Sequence, residues 1–64
     1  MLDYQLLEAL DAVWQSGSFQ RAARSLHLTQ SAVSQRIRSL EDACGTPLLI
    51  RSDPLKLTAD GQRL

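Results

Sequence analysis

Residues 18–38 read Ser-Phe-Gln-Arg-Ala-Ala-Arg-Ser-Leu-His-Leu-Thr-Gln-Ser-Ala-Val-Ser-Gln-Arg-Ile-Arg, and this stretch decides the fold. It contains two helical patterns separated by a very short connection. In the first, Ser18 is a capping residue, and Phe19, Ala22, Ala23 and Leu26 then fall on one face. Two adjacent alanines on the buried side predict the close approach of another helix. The connection is His27-Leu28. Thr29 is a second capping residue, and Val33, Ile37, Leu40 and Cys44 recur at i, i+4, i+7 and i+11 as a buried stripe. Gly45 ends that helix and Pro47 prevents its resumption. Two helices joined by so tight a turn form a helix-turn-helix, whose second helix enters the DNA major groove.

Upstream, Leu6, Leu7, Leu10, Val13 and Trp14 make one stripe of a further helix, with Asp3 as its expected N-cap and Gly17 as its stop. Trp14 and Tyr4 accompany that stripe, so both are expected in core or interface packing. Downstream, Leu48-Leu49-Ile50-Arg51 is a short β-prone run, Ser52-Asp53-Pro54 is turn chemistry, and Leu55-Lys56-Leu57 alternates apolar with charged. Two small strands joined by a tight loop, a wing, follow from this. Thr58 caps a fourth helix, and Asp60 sits near its positive end. That helix has scarcely begun at Leu64, which reads as truncation. The expected fold is mainly α: a winged helix-turn-helix of three helices and a two-stranded wing over residues 1–58, with a linker helix beginning over 59–64.

The outward side of the third helix carries the chemistry. At about 100° per residue, Ser31, Ser34, Gln35 and Arg38 lie opposite Val33, Ile37 and Leu40, with Gln30 and Arg36 on the flanks. Hydroxyls, amides and guanidinium groups occupy this face, and no acid appears before Glu41 and Asp42. Glutamine can pair with N6 and N7 of adenine, and arginine with O6 and N7 of guanine; serine is short enough to let the helix approach. The first turn, after Thr29, offers its N–H groups to phosphate.

Net charge is zero, from seven basic and seven acidic residues, yet the distribution is uneven. Arg21, Arg24, Arg36 and Arg38, with His27, fall in a window free of acids, while the carboxylates lie on either side of it. Phosphate responds to the local field rather than to the sum. A solvated surface would account for the arginines alone; the outward face of the third helix is what favours double-stranded DNA. The rival is a small helical protein-interaction module that meets an acidic partner through Ser31, Gln35 and Arg38. Random duplex DNA separates the two, because such a module binds none at any salt.

An enzyme is not expected from 64 residues with one histidine and one cysteine, since no nucleophile, base and orienting group can be assembled. His27 lacks partners at metal-ligand spacing, and Cys44 lies on the core stripe, where packing is its expected role. No metal, cofactor or small-molecule site is expected in these residues. A single cysteine forms no internal disulfide and suits the cytoplasm. No apolar run approaches the roughly 20 residues that span a bilayer, so no membrane is involved. Met1-Leu2-Asp3-Tyr4 lacks the basic-then-apolar pattern of a secretory leader.

Ser18-Phe19, Ala22-Ala23, Leu26, Thr29-Gln30-Ser31-Ala32-Val33-Ser34, Ile37, Leu40-Glu41, Gly45, Pro47-Leu48, Arg51, Leu57-Thr58 and Gly61 together resemble the N-terminal signature of LysR-type transcription regulators, in order over nearly the whole chain. The resemblance implies a bacterial, cytoplasmic, nucleoid-associated regulator with a long dimerising linker helix and an effector-binding domain, both beyond these residues. It implies a homodimer or tetramer at full length. It faces Gln30, Ser31, Ser34 and Gln35 to the major groove and puts Arg51 and the loop from Ser52 to Lys56 near phosphates or the minor groove; Thr29, Arg36 and Arg38, from the reading of the third helix itself, complete the expected DNA contacts. The runs 30–37 and 47–51 are similar to the branch responsive to lysine and arginine, which implies a basic amino acid as effector of the full-length protein. Two positions depart from the pattern. Leu49 replaces the usual Phe, which leaves packing nearly intact, and Asp53 puts into the wing an acid that phosphate repels unless it turns away.

Overall fold

The computed structural model describes residues 4–51 and 55–63. Along the chain come α1 (Tyr4–Ser16), α2 (Phe19–Leu26), α3 (Gln30–Cys44), β1 (Leu49–Ile50), β2 (Lys56–Leu57) and α4 (Ala59–Gln62). This is the expected winged helix-turn-helix. Each of the first three helices packs on the other two. Between them lie Ala9, Leu10 and Val13 of α1, Ala22 and Ala23 of α2, and Val33, Ile37 and Leu40 of α3, closed from below by Leu48 and Leu49.

The expected caps form at the described positions. Ser18 Oγ accepts from the Gln20 and Arg21 N–H groups at 3.1 and 3.3 Å, Thr29 Oγ1 from Ala32 at 3.0 Å, and Thr58 Oγ1 from Gly61 at 3.1 Å. Gly17 (φ 75°) and Gly45 (φ 73°) take the left-handed conformation that stops a helix. His27 does the same between α2 and α3 at φ 58°, a conformation that costs a residue with a Cβ about 1–2 kcal/mol. It turns the chain at once, and the Leu28 N–H donates back to the Ala23 carbonyl at 2.9 Å. The capping role expected of Asp3 lies outside the described residues.

Two expectations about α1 and α3 are corrected. Of the core or interface packing expected of Tyr4 and Trp14, the core is excluded: they are 76 % and 45 % exposed. The buried stripe runs through Leu6, Ala9, Leu10 and Val13, which leaves Tyr4 on the far side and Trp14 at the stripe's edge. Cys44 is only half-buried, because it sits in the last turn of α3, at the margin of the core.

The strands are antiparallel, with Leu49 opposite Leu57 and Ile50 opposite Lys56. Ser52, Asp53 and Pro54, at the wing's tip, fall outside the described residues, and so does the question of where Asp53 turns. A polar clasp fixes the wing's base to the helices. Glu41 Oε2 accepts from the Leu48 and Leu49 N–H groups at 2.8 and 3.3 Å. The Leu48 carbonyl accepts from the Thr58 N–H at 2.9 Å, and the Pro47 carbonyl from the Thr58 hydroxyl at 2.7 Å. Thr46 donates its hydroxyl to Asp60 at 3.0 Å. Gly61 rests directly on the Leu48 backbone: a Cβ there would run into the Leu48 carbonyl oxygen and stand 3.1 Å from its carbon.

Ala22 and Ala23 are 0 % and 5 % exposed, as close helix approach requires. Ala23→Leu is therefore expected to overpack the core and to destabilise by about 1–3 kcal/mol. Thermal unfolding checks this, and an unchanged melting temperature would mean that α2 has room to spare.

Candidate nucleic-acid interface

The core stripe of α3 determines what its other side can do. Val33, Ile37 and Leu40 are fully buried, so the helix cannot rotate without exposing them. Its opposite side is thereby fixed outward. Gln30, Ser31, Ser34, Gln35 and Arg38 line one shallow open concavity there, with no carboxylate among them. Gln30, Ser31, Gln35 and Arg38 are exposed and Ser34 is half-buried. Thr29 is exposed and occupies its hydroxyl with the Ala32 N–H. The N–H groups of Gln30 and Ser31, one and two residues into the helix, have no acceptor within it and lie at its positive end.

The remaining described candidates do not line this concavity. Arg36 is half-buried on the flank of α3. Arg51 follows β1, exposed, with its guanidinium carbon 4.7 Å from the centre of the Phe19 ring. Lys56 is exposed on β2. Ser52 lies outside the described residues. Arg21 and Arg24 are exposed on α2, and His27 is exposed in the turn. Among the described residues the one ion pair is Arg63 with Asp60, at 3.4 Å on α4. None of the arginines on α2, on α3 or after β1 is paired with a described carboxylate. No group of three or more metal-ligating side chains occurs among the described residues, and none of their helices is long and apolar enough to cross a membrane.

Sequence reasoning missed two features of this surface. The stacking of Arg51 on Phe19 joins residues far apart in the chain, and no local pattern announces it. The exposed side of Trp14 lines a shallow groove with Leu7, Leu10, Leu57 and Gly61. Leu7 and Trp14, two turns apart at the edge of the stripe, were the available signal for it.

Known proteins show the same arrangement. The sequence model for "Bacterial regulatory helix-turn-helix protein, lysR family" matches residues 4–62. The HTH-type transcriptional regulator ArgP of Aeromonas salmonicida is 62 % identical over 63 residues, which is 98 % of this chain and 21 % of that protein. The chain thus spans about a fifth of the length of the curated relatives it matches. Among solved structures, ArgP from Mycobacterium tuberculosis superposes with a TM-score of 0.92 at 49 % identity, over 98 % of this chain and 24 % of that one. Vibrio fischeri DarR, solved in complex with DNA, gives 0.93 at 36 % identity, over 98 % of this chain and 22 % of that one. Sequence and backbone agree along nearly all of its length, and the chain belongs to the lysR family of bacterial regulatory helix-turn-helix proteins.

Proposed function

We propose that the chain binds double-stranded DNA sequence-specifically, as the reading head of a transcription regulator, with α3 in the major groove. The observation that carries this is the acid-free polar concavity of α3, held outward by a fully buried stripe on the same helix. Gln30, Ser31, Ser34, Gln35 and Arg38 read base edges, since amide, hydroxyl and guanidinium groups match the donors and acceptors displayed there. Thr29, Arg36, Arg51, Ser52 and Lys56 hold the backbone, which fixes register without reading sequence. Residues 1–58 act as the DNA-binding domain, and 59–64 begin a linker helix through which a protein as long as the relatives dimerises. Likeness to ArgP supports an effector of basic amino-acid type, bound outside these residues, and a cytoplasmic site of action.

Substitution separates the two kinds of contact. Gln30→Ala is expected to relax preference at one base position, with about 1–3 kcal/mol lost on the best site alone. Arg51→Ala is expected to weaken all duplexes alike and to flatten the slope of log K against log salt by about 0.9. Titrations against selected and random duplexes at several salt concentrations measure both. Equal weakening of every sequence by Gln30→Ala would remove Gln30 from the reading set, and no binding of any duplex at low salt would overturn the function.

A further inference from the structure

We propose that Phe19 is a positioning residue for DNA binding: its ring is the platform that holds the Arg51 guanidinium against the phosphate backbone. The inference rests on the reading of Arg51 as a phosphate contact. An exposed arginine samples many rotamers, and a contact made from such an ensemble loses affinity in proportion to the ordering it demands. Arg51 does not hang free. Its guanidinium carbon lies 4.7 Å from the ring centre of Phe19, inside the roughly 6 Å over which a cation is attracted to an aromatic face.

Both ends of this contact are anchored. Phe19 opens α2, whose start is fixed by the Ser18 cap, and the ring packs half-buried against the core. Arg51 directly follows β1, whose first residue, Leu49, is held by Glu41 and paired with Leu57. Neither partner can drift without disturbing a capped helix or a paired strand. No described carboxylate lies within ion-pairing distance of Arg51, and an aromatic ring restrains a guanidinium without itself cancelling the charge. A guanidinium held over a ring uses one face for that contact, and its five N–H donors remain for an anion. In a helix-turn-helix the first helix of the pair crosses the DNA backbone. Stacking on the first residue of α2 therefore places the charge of Arg51 beside that crossing.

The test is a double-mutant cycle on the 64-residue chain, with random duplex DNA as the probe. Phe19→Leu keeps an apolar side chain against the core and removes the aromatic face. It is expected to weaken binding about two- to fivefold, the range for an exposed cation–π contact. Phe19→Tyr keeps the face and is expected to bind like the parent. In an Arg51→Ala background, Phe19→Leu should change affinity no further, because the group it positions is gone. Melting temperatures of all variants separate a loss of fold from a loss of positioning, and Phe19→Tyr still reports if Phe19→Leu does not fold. An equal loss from Phe19→Leu with and without Arg51 would overturn the proposal, as would a loss in Phe19→Tyr as large as that in Phe19→Leu. If Arg51→Ala alone leaves affinity and salt slope unchanged, the phosphate role of Arg51 falls and this proposal with it. DNA binding through α3 would survive that result.

Discussion

Glu41→Ala is expected to destabilise the chain by about 2–4 kcal/mol. Its carboxylate takes the N–H groups of both Leu48 and Leu49, and hydrogen bonds to a charged acceptor contribute about 1.5–3 kcal/mol each. The expected loss falls at and below the lower end of the summed range, because the Leu49 bond is long at 3.3 Å and Glu41 is half-buried, where water can partly replace it. A domain this small commands only about 3–5 kcal/mol in all, so the variant should be largely unfolded at modest urea concentrations. Glu41→Gln keeps one carbonyl acceptor and should fall between the two, since a neutral bond is about half as strong. Urea midpoints of the three proteins check the order. A Glu41→Ala midpoint equal to the parent's would mean that the wing's base is held by Leu48 and Leu49 packing alone.

Two copies of the chain joined by a helix of matched span are expected to bind paired half-sites about a thousandfold more tightly than one copy does. A single module with a few phosphate and base contacts has a dissociation constant on the order of micromolar. Tethering makes the second contact intramolecular, at an effective concentration near millimolar when the span fits. The ratio is worth roughly 4 kcal/mol. On a single half-site the joined pair should gain little. Affinities for one-half-site and two-half-site duplexes at fixed salt measure this, and equal affinity of the single copy for the paired site would show that these residues pair unaided.

The helices were legible because their signals are local. Ser18, Thr29 and Thr58 each cap a helix through their own hydroxyl, and Gly17 and Gly45 stop one through their own φ. The outward face of α3 followed from spacing alone, since a stripe as regular as Val33, Ile37 and Leu40 leaves the opposite side no choice. What was not legible depends on the path of the chain in space. Trp14 was assigned by its place on the stripe, yet burial is decided by the neighbours, and Ala9 is fully buried where Trp14 is 45 % exposed. Glu41 read as the acid that ends a basic window, and only the fold brings the backbone of Leu48 to it. His27 in the left-handed region had no sequence cue, because that conformation is ordinarily left to glycine or asparagine.

The seat of Gly61 on Leu48 has a mechanical meaning. Most helices in a protein rest on a layer of side chains, which can shift rotamer and absorb small displacements of the axis. At Gly61 no such cushion lies between α4 and the chain beneath it: backbone meets backbone, and the Leu48 N–H is in turn tied to Glu41 on α3. A push on α4 at Gly61 thus meets the Leu48 backbone directly, and Leu48 is joined by a hydrogen bond to Glu41 of α3.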